Sequence, residues 1–296
     1  MTQSSRQHPG LAMKILLATD LSARGDRALK RALAMARQDG AQLTVLHVVE
    51  EADGSLTADA SAGSMPQAPP SAESIMMKRL RQGLPTELGD LLDRATLLIE
   101  AGNPAEVIER VATALHVDLI VTGIARENPF SSRPVVLGKT VEYLLRRLPA
   151  PILIVRNRVR EPYRNILVAT DFSAPSGHAL QMALRFFPEQ TLQLLHATDQ
   201  PAGELENLHD ARMADFATFL SSVFLPEGDR ERLAPLVEAG APQQAVRDYV
   251  QTHDADLVVL GTRGRGAVLE ALLGSTAKSI LTTLPCDALI VRGPPQ

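Results

Sequence analysis

The chain has 296 residues, of which 45% are apolar, 22% charged and 3% aromatic; this excludes a disordered polyelectrolyte and gives enough length for two domains. Thirty Lys and Arg against 34 Asp and Glu leave a net charge of -4, and tryptophan is absent, so no nucleic-acid partner is expected. The single cysteine, Cys286, excludes an internal disulfide framework and a multi-cysteine metal site, and fits a reducing compartment.

Residues 1–12 read as a polar, disordered tail without the apolar core of a signal peptide. No window reaches the roughly 18 consecutive apolar residues of a spanning helix, so a cytoplasmic protein with no membrane partner is expected. The first apolar run, KILLATDLS at Lys14–Ser22, is followed by Leu29, Ala32, Leu33 and Ala36 at helical spacing. A second run follows at Thr44–Glu50, and then Glu51–Ser74, rich in Ala, Ser, Pro and Gly, reads as a mobile loop. The third run ends at Pro104, which suits the first turn of a helix whose apolar face is Ile108, Val111, Ala112 and Leu115. Runs ending at Gly123 and Val155 complete a set of five.

Arg156–Pro162 is charged and ends in proline, which predicts domains over 13–157 and 163–296. Beyond it the chain repeats itself. NILVATDFS at Asn165–Ser173 is identical to the first run at six of nine positions, with Asp171 answering Asp20. The other four runs recur in order: His196 answers His47, Pro242 answers Pro104, Gly261 answers Gly123 and Val291 answers Val155. Ala277, Ile280, Leu281 and Leu284 form the last helical face, closed by Pro285.

Continuous apolar runs alternating with helices predict two tandem α/β domains. Each is doubly wound and Rossmann-like around a five-stranded parallel sheet. Pairing of Ile152–Val155 with Ala288–Val291 would cover two exposed edges and make the chain a pseudo-dimer, with further homodimerisation left open.

Ligands of such sheets bind beyond the carboxyl ends of the strands. Asp20 and Asp171 stand there, each able to accept from a ribose hydroxyl or to cap the next helix. In the second half, Gly261, Gly264 and Gly274 precede Ser275 and Thr276 at a helix start, with Arg263 and Arg265 between them. Glycines that admit close approach or positive φ, followed by unpaired helix N–H groups, suit a phosphate, although a flexible turn and cap is the alternative. In the first half Arg126 takes the place of Gly264, and eleven residues instead of nine lead to Gly138. Pro129 and Pro134 stiffen that loop and Lys139 replaces Ser275, so ATP binding of the same kind is not expected there. Gly138-Lys139-Thr140 lacks the upstream glycine of a P-loop, since Arg133 holds that place. His47 and His196 read as structural, and the remaining histidines form no metal-ligand spacing.

The spacing Gly-x2-Gly-x9-Gly-Ser, with the early Asp and the final LIV strand, resembles the universal stress protein family over nearly the whole chain, twice. The resemblance implies an ATP-binding stress-response protein, with or without Mg2+ at the nucleotide. It further implies that Ala169, Thr170, Asp171 and Ala197 line adenine and ribose, and that Leu260 and Gly261 flank the ribose. Gly264, Gly274, Ser275 and Thr276 would admit and hold the phosphates, with Arg263 and Arg265 adding positive charge. No catalytic acid–base pair or nucleophile is placed by spacing, so at most weak hydrolysis is expected. A slow ATPase or ATP-consuming enzyme, and a ligand-free interaction module, are the rival readings.

Overall fold

The apolar runs become strands, buried on both faces in the middle of the sheet and half-buried at its two edges. The computed structural model describes residues 12–22, 25–50, 71–82, 84–123, 137–158, 162–198, 205–262 and 274–293. The first half comprises β1 (Lys14–Thr19), α1 (Gly25–Asp39), β2 (Gln42–Val49), α2 (Ala72–Arg81), α3 (Thr86–Leu92), β3 (Thr96–Ala101), α4 (Pro104–Leu115), β4 (Leu119–Gly123), α5 (Lys139–Arg147) and β5 (Ile152–Val155). The second comprises β6 (Ile166–Ala169), α6 (Ala174–Phe186), β7 (Leu192–Thr198), α7 (Leu205–Ser222), β8 (Leu233–Ala239), α8 (Pro242–His253), β9 (Leu257–Gly261), α9 (Ser275–Thr283) and β10 (Asp287–Val291).

One expectation needs correction. The stretch Glu51–Ser74 does not stay irregular to its end: Ser71 caps α2, its hydroxyl accepting the Ser74 N–H at 3.2 Å, so residues 72–74 are helical. A capping serine inside a Ser- and Pro-rich stretch is locally indistinguishable from its neighbours. The N-terminal tail and residues 51–70 lie outside the described residues.

The ten strands form one sheet in the order β3-β2-β1-β4-β5-β10-β9-β6-β7-β8. Within each half all pairs are parallel, and β5 and β10 meet antiparallel. The expected pseudo-dimer is thus built through the two last strands. Because they run in opposite directions, the carboxyl ends of the two parallel sets open at opposite ends of the sheet.

Alternation along the strands feeds two cores, one on each face. Ile15, Leu17, Leu153, Val168, Val259 and Leu289 join α1 and α6 on one side. Leu16, Ile120, Ile152, Val258 and Ile290 join α4, α5, α8 and α9 on the other. Both cores run across the junction, so the halves share buried apolar surface. Among the described residues no helix is long and apolar enough to cross a membrane.

Candidate nucleotide-binding site

Strand order reverses between β1 and β4 in the first half and between β6 and β9 in the second, which opens a crevice at the carboxyl end of each parallel set. Asp171 stands at the mouth of the second crevice, in the turn that carries the chain from β6 into α6. Thr170 fixes that turn. Its N–H donates to Leu195 O at 2.8 Å, and its hydroxyl accepts the Phe172 N–H at 3.0 Å and lies 2.9 Å from Ser176 Oγ. Thr170 is buried, so its hydroxyl serves the turn.

The Asp171 side chain is exposed, and its Oδ1 accepts the Ser173 N–H at 3.1 Å. The helix cap is Ser173, whose Oγ accepts from Ser176 N. The capping alternative for Asp171 is therefore corrected: the cap lies two residues further on, and the carboxylate closes an Asx-turn while facing outward.

Phe172 adopts φ 60°, a left-handed conformation that costs a non-glycine residue about 1 kcal/mol. Aromatic contacts hold it there. The ring stacks on His196 at 4.2 Å and meets Phe216 edge-on at 4.9 Å. His196 Nδ1 lies 3.0 Å from Thr170 O. A carbonyl only accepts, so Nδ1 carries the proton. Burial pulls the imidazole below its usual pKa, partly opposed by the bond to Thr170 O, and the ring is neutral at pH 7. This is the structural role expected of the histidine. His47 repeats the geometry, with Nδ1 at 3.0 Å from Thr19 O.

Gly261 ends β9, and its need is steric. A Cβ there would lie 2.8 Å from Pro175 O and 3.1 Å from Ser176 N, in the first turn of α6. Gly274 is different: it caps α9 at φ -54°, and a Cβ would lie 3.8 Å from Thr262 O. Neither glycine uses positive φ, which corrects that part of the sequence reading for these two positions. Gly274 N–H donates to Thr262 O at 3.4 Å, tying the start of α9 to the end of β9. No side chain caps α9, and Ser275 and Thr276 are exposed in its first turn. Those N–H groups and the positive end of the helix dipole form an anion-receptive surface.

Asp171 and the start of α9 therefore follow two adjacent strands, β6 and β9. Ala169 ends β6 and Ala197 lies near the end of β7, both half-buried on the same crevice-facing edge. Leu260 is core, so any ribose contact from it would be through its backbone. Arg263, Gly264 and Arg265 lie outside the described residues, as do Arg126, Pro129 and Pro134.

The first half keeps one part of this arrangement. Leu21 has φ 57°, its N–H donates to Thr19 Oγ1 at 3.1 Å, and the Ser22 N–H donates to Asp20 Oδ1 at 3.0 Å. Gly138 also caps α5 with extended φ, -62°, like Gly274. The differences are in side chains: Lys139 opens α5, and Arg79 of α2 donates through Nε to Leu21 O at 3.0 Å. Phe172, Pro175 and Ser176 were not singled out from sequence. Only the substitution of Phe172 for Leu21 between the repeats offered a signal.

Comparison with known proteins identifies the family and the fold. The model of the "Universal stress protein family" matches residues 12–156 and again 162–292. Universal stress protein E of Salmonella typhi is 25% identical over 247 residues, 72% of this chain and 76% of that protein. Universal stress protein E of Escherichia coli strain K12 is 23% identical over 233 residues, covering 68% and 72%. The crystal structure of a universal stress protein from Archaeoglobus fulgidus DSM 4304 shares the fold, with TM-score 0.63, 19% identity, and 95% of this chain and 98% of that one covered. With the family model matched once in each half, the chain belongs to the universal stress protein family as a tandem member.

Proposed function

We propose that the second half binds ATP, with or without Mg2+, as a state signal in a cytoplasmic stress response, and that the first half is a diverged structural or regulatory partner. The observation carrying this reading is the juxtaposition of the outward-facing Asp171 with the uncapped start of α9 at Gly274, on adjacent strand ends. Asp171 accepts from ribose, Ala169 and Ala197 offer small apolar contact to adenine, and Leu260 and Gly261 flank the ribose. Ser275 and Thr276 hold phosphate oxygens through backbone N–H groups and hydroxyls, Gly274 admits them by its lack of a side chain, and Arg263, Gly264 and Arg265 complete the cradle.

The residues fit such a ligand because Gly274 projects nothing into the approach to the helix start. In the first half Gly138 holds the same capping place, and the difference is one residue on, where the long cationic side chain of Lys139 stands in place of the Ser275 hydroxyl. Among the described residues, His196 Nδ1 is committed to Thr170 O and the Thr170 hydroxyl to the turn, which supports binding over efficient turnover.

Thermal shift with Mg-ATP tests the assignment. The wild type is expected to gain several degrees at saturating nucleotide, and Asp171→Ala to lose most of that gain, beyond the small fall in its unliganded melting temperature that loss of the Asx-turn brings. No shift in the wild type overturns the reading. Radiolabelled turnover separates a binder from an enzyme, and sustained hydrolysis abolished by Gly264→Arg would favour the enzyme.

A further inference from the structure

The two junction strands are near copies: Ile-Leu-Ile-Val in β5, and Ala-Leu-Ile-Val in the last four residues of β10. Main-chain pairing alone does not distinguish β5 with β10 from β5 with β5 of a second copy, or β10 with β10. The residue just before these four does differ. It is Pro151 in the first repeat and Asp287 in the second.

Asp287 is fully buried. Its Oδ1 accepts the N–H groups of Arg156 at 2.8 Å and Asn157 at 2.9 Å. Its Oδ2 accepts the Tyr163 hydroxyl at 2.6 Å and lies 3.8 Å from Arg31 Nε, a buried atom that makes no hydrogen bond among the described residues. The Arg31 guanidinium lies over the Tyr163 ring, 3.6 Å from its centroid. Arg156 also reaches the carboxyl end of α9, donating to Leu281 O at 2.6 Å and Leu284 O at 2.7 Å. Arg156 and Asn157 leave β5, whereas Tyr163 leads into β6. Both ends of the connection between the halves therefore converge on one carboxylate.

We propose that Asp287 selects the partner of β10, committing it to β5 and against the β5–β5 and β10–β10 pairs that two copies could form. A β5–β5 pair would set Pro151, which has no carboxylate, against the Arg156 and Asn157 amides and leave buried donors unmet. A β10–β10 pair would take Asp287 away from Arg31 and from the Arg156 and Asn157 amides of the first half, and leave a buried carboxylate without its cation. Only the β5–β10 pair satisfies all these groups. Specifying register and partner is the best-attested use of a buried ionic group. A connection closed on Asp287 also holds the second half beside the first, out of reach of another copy.

The test compares the full-length wild type with Asp287→Ala and Asp287→Asn by hydrogen exchange at the Arg156 and Asn157 amides and by light scattering over a wide concentration range. In Asp287→Ala both amides are expected to exchange about tenfold faster or more, and larger species absent from the wild type are expected to grow with concentration. Asp287→Asn keeps an oxygen for the two amides but gives up the charge facing Arg31, so it shifts in the same direction by less. It carries the test if the alanine variant does not fold. Wild-type exchange and wild-type size distribution in the folded variants overturn the proposal.

Discussion

Leu153 and Leu289 hold the same place in the two repeats and stand opposite each other in the antiparallel pairing of β5 and β10. A pseudo-twofold axis therefore passes through this pair, flanked by Ile154 opposite Ala288 and Ile152 opposite Ile290. Both leucines are buried in the core that runs from one half into the other. Truncating either to alanine is expected to cost about 2–5 kcal/mol. Because the two side chains face one another, the double variant should cost less than the sum of the single ones. Urea unfolding of the four proteins measures this, and strict additivity would contradict a shared contact.

Gly261 and Gly274, both in the proposed nucleotide crevice, should separate in a stability measurement. Gly261→Ala forces a methyl group against the backbone of Pro175 and Ser176, and a loss of about 1–3 kcal/mol is expected even without ligand. Gly274→Ala meets only ordinary contact with Thr262 O, so the unliganded protein should melt close to the wild type. The same methyl group stands at the start of α9, and nucleotide affinity should fall. Calorimetry with and without Mg-ATP checks both halves of this statement.

His196 makes stability depend on pH in a defined direction. Its folded pKa is held below the ordinary value of 6.5, mainly by burial, so between the two values the unfolded chain binds more protons. The stability tied to the neutral ring is fully present above pH 6.5 and is lost as pH falls through the folded pKa. The difference between wild type and His196→Gln should therefore shift in the mutant's favour as pH is lowered from 7.5 to 5. A difference independent of pH would mean that His196 titrates as it does in the unfolded chain.

Cys286 should be inert. It is buried, and desolvation, followed by the neighbouring Asp287, pushes its thiol up to about 12. Thiol reagents at pH 8 are expected to leave the native protein unlabelled and to label one site per chain in denaturant. Rapid labelling of the native protein would show that the junction around Asp287 opens readily.

Much of the architecture was legible because the repeat supplied its own register. Matching Asp20 with Asp171 and Val155 with Val291 gave five strands per half and the pairing of the last strands, which the structure shows. What stayed hidden depended on distances between segments far apart in sequence. Gly261 reads as one glycine in a phosphate-like spacing, and nothing local says that Pro175 lies against it. Asp171 and Ser173 are both good caps by residue type, and only the path of the turn decides for Ser173. Asp287 differs visibly from Pro151, yet its four partners come from α1, the end of β5 and the connection before β6.

Native mass spectrometry of freshly purified protein decides whether the chain carries one working nucleotide site and one diverged copy. After addition of Mg-ATP, one adenine nucleotide per chain is expected, lost in Asp171→Ala and retained in Asp20→Ala. Two nucleotides per chain would contradict the divergence of the first half, and none would contradict nucleotide binding by the second.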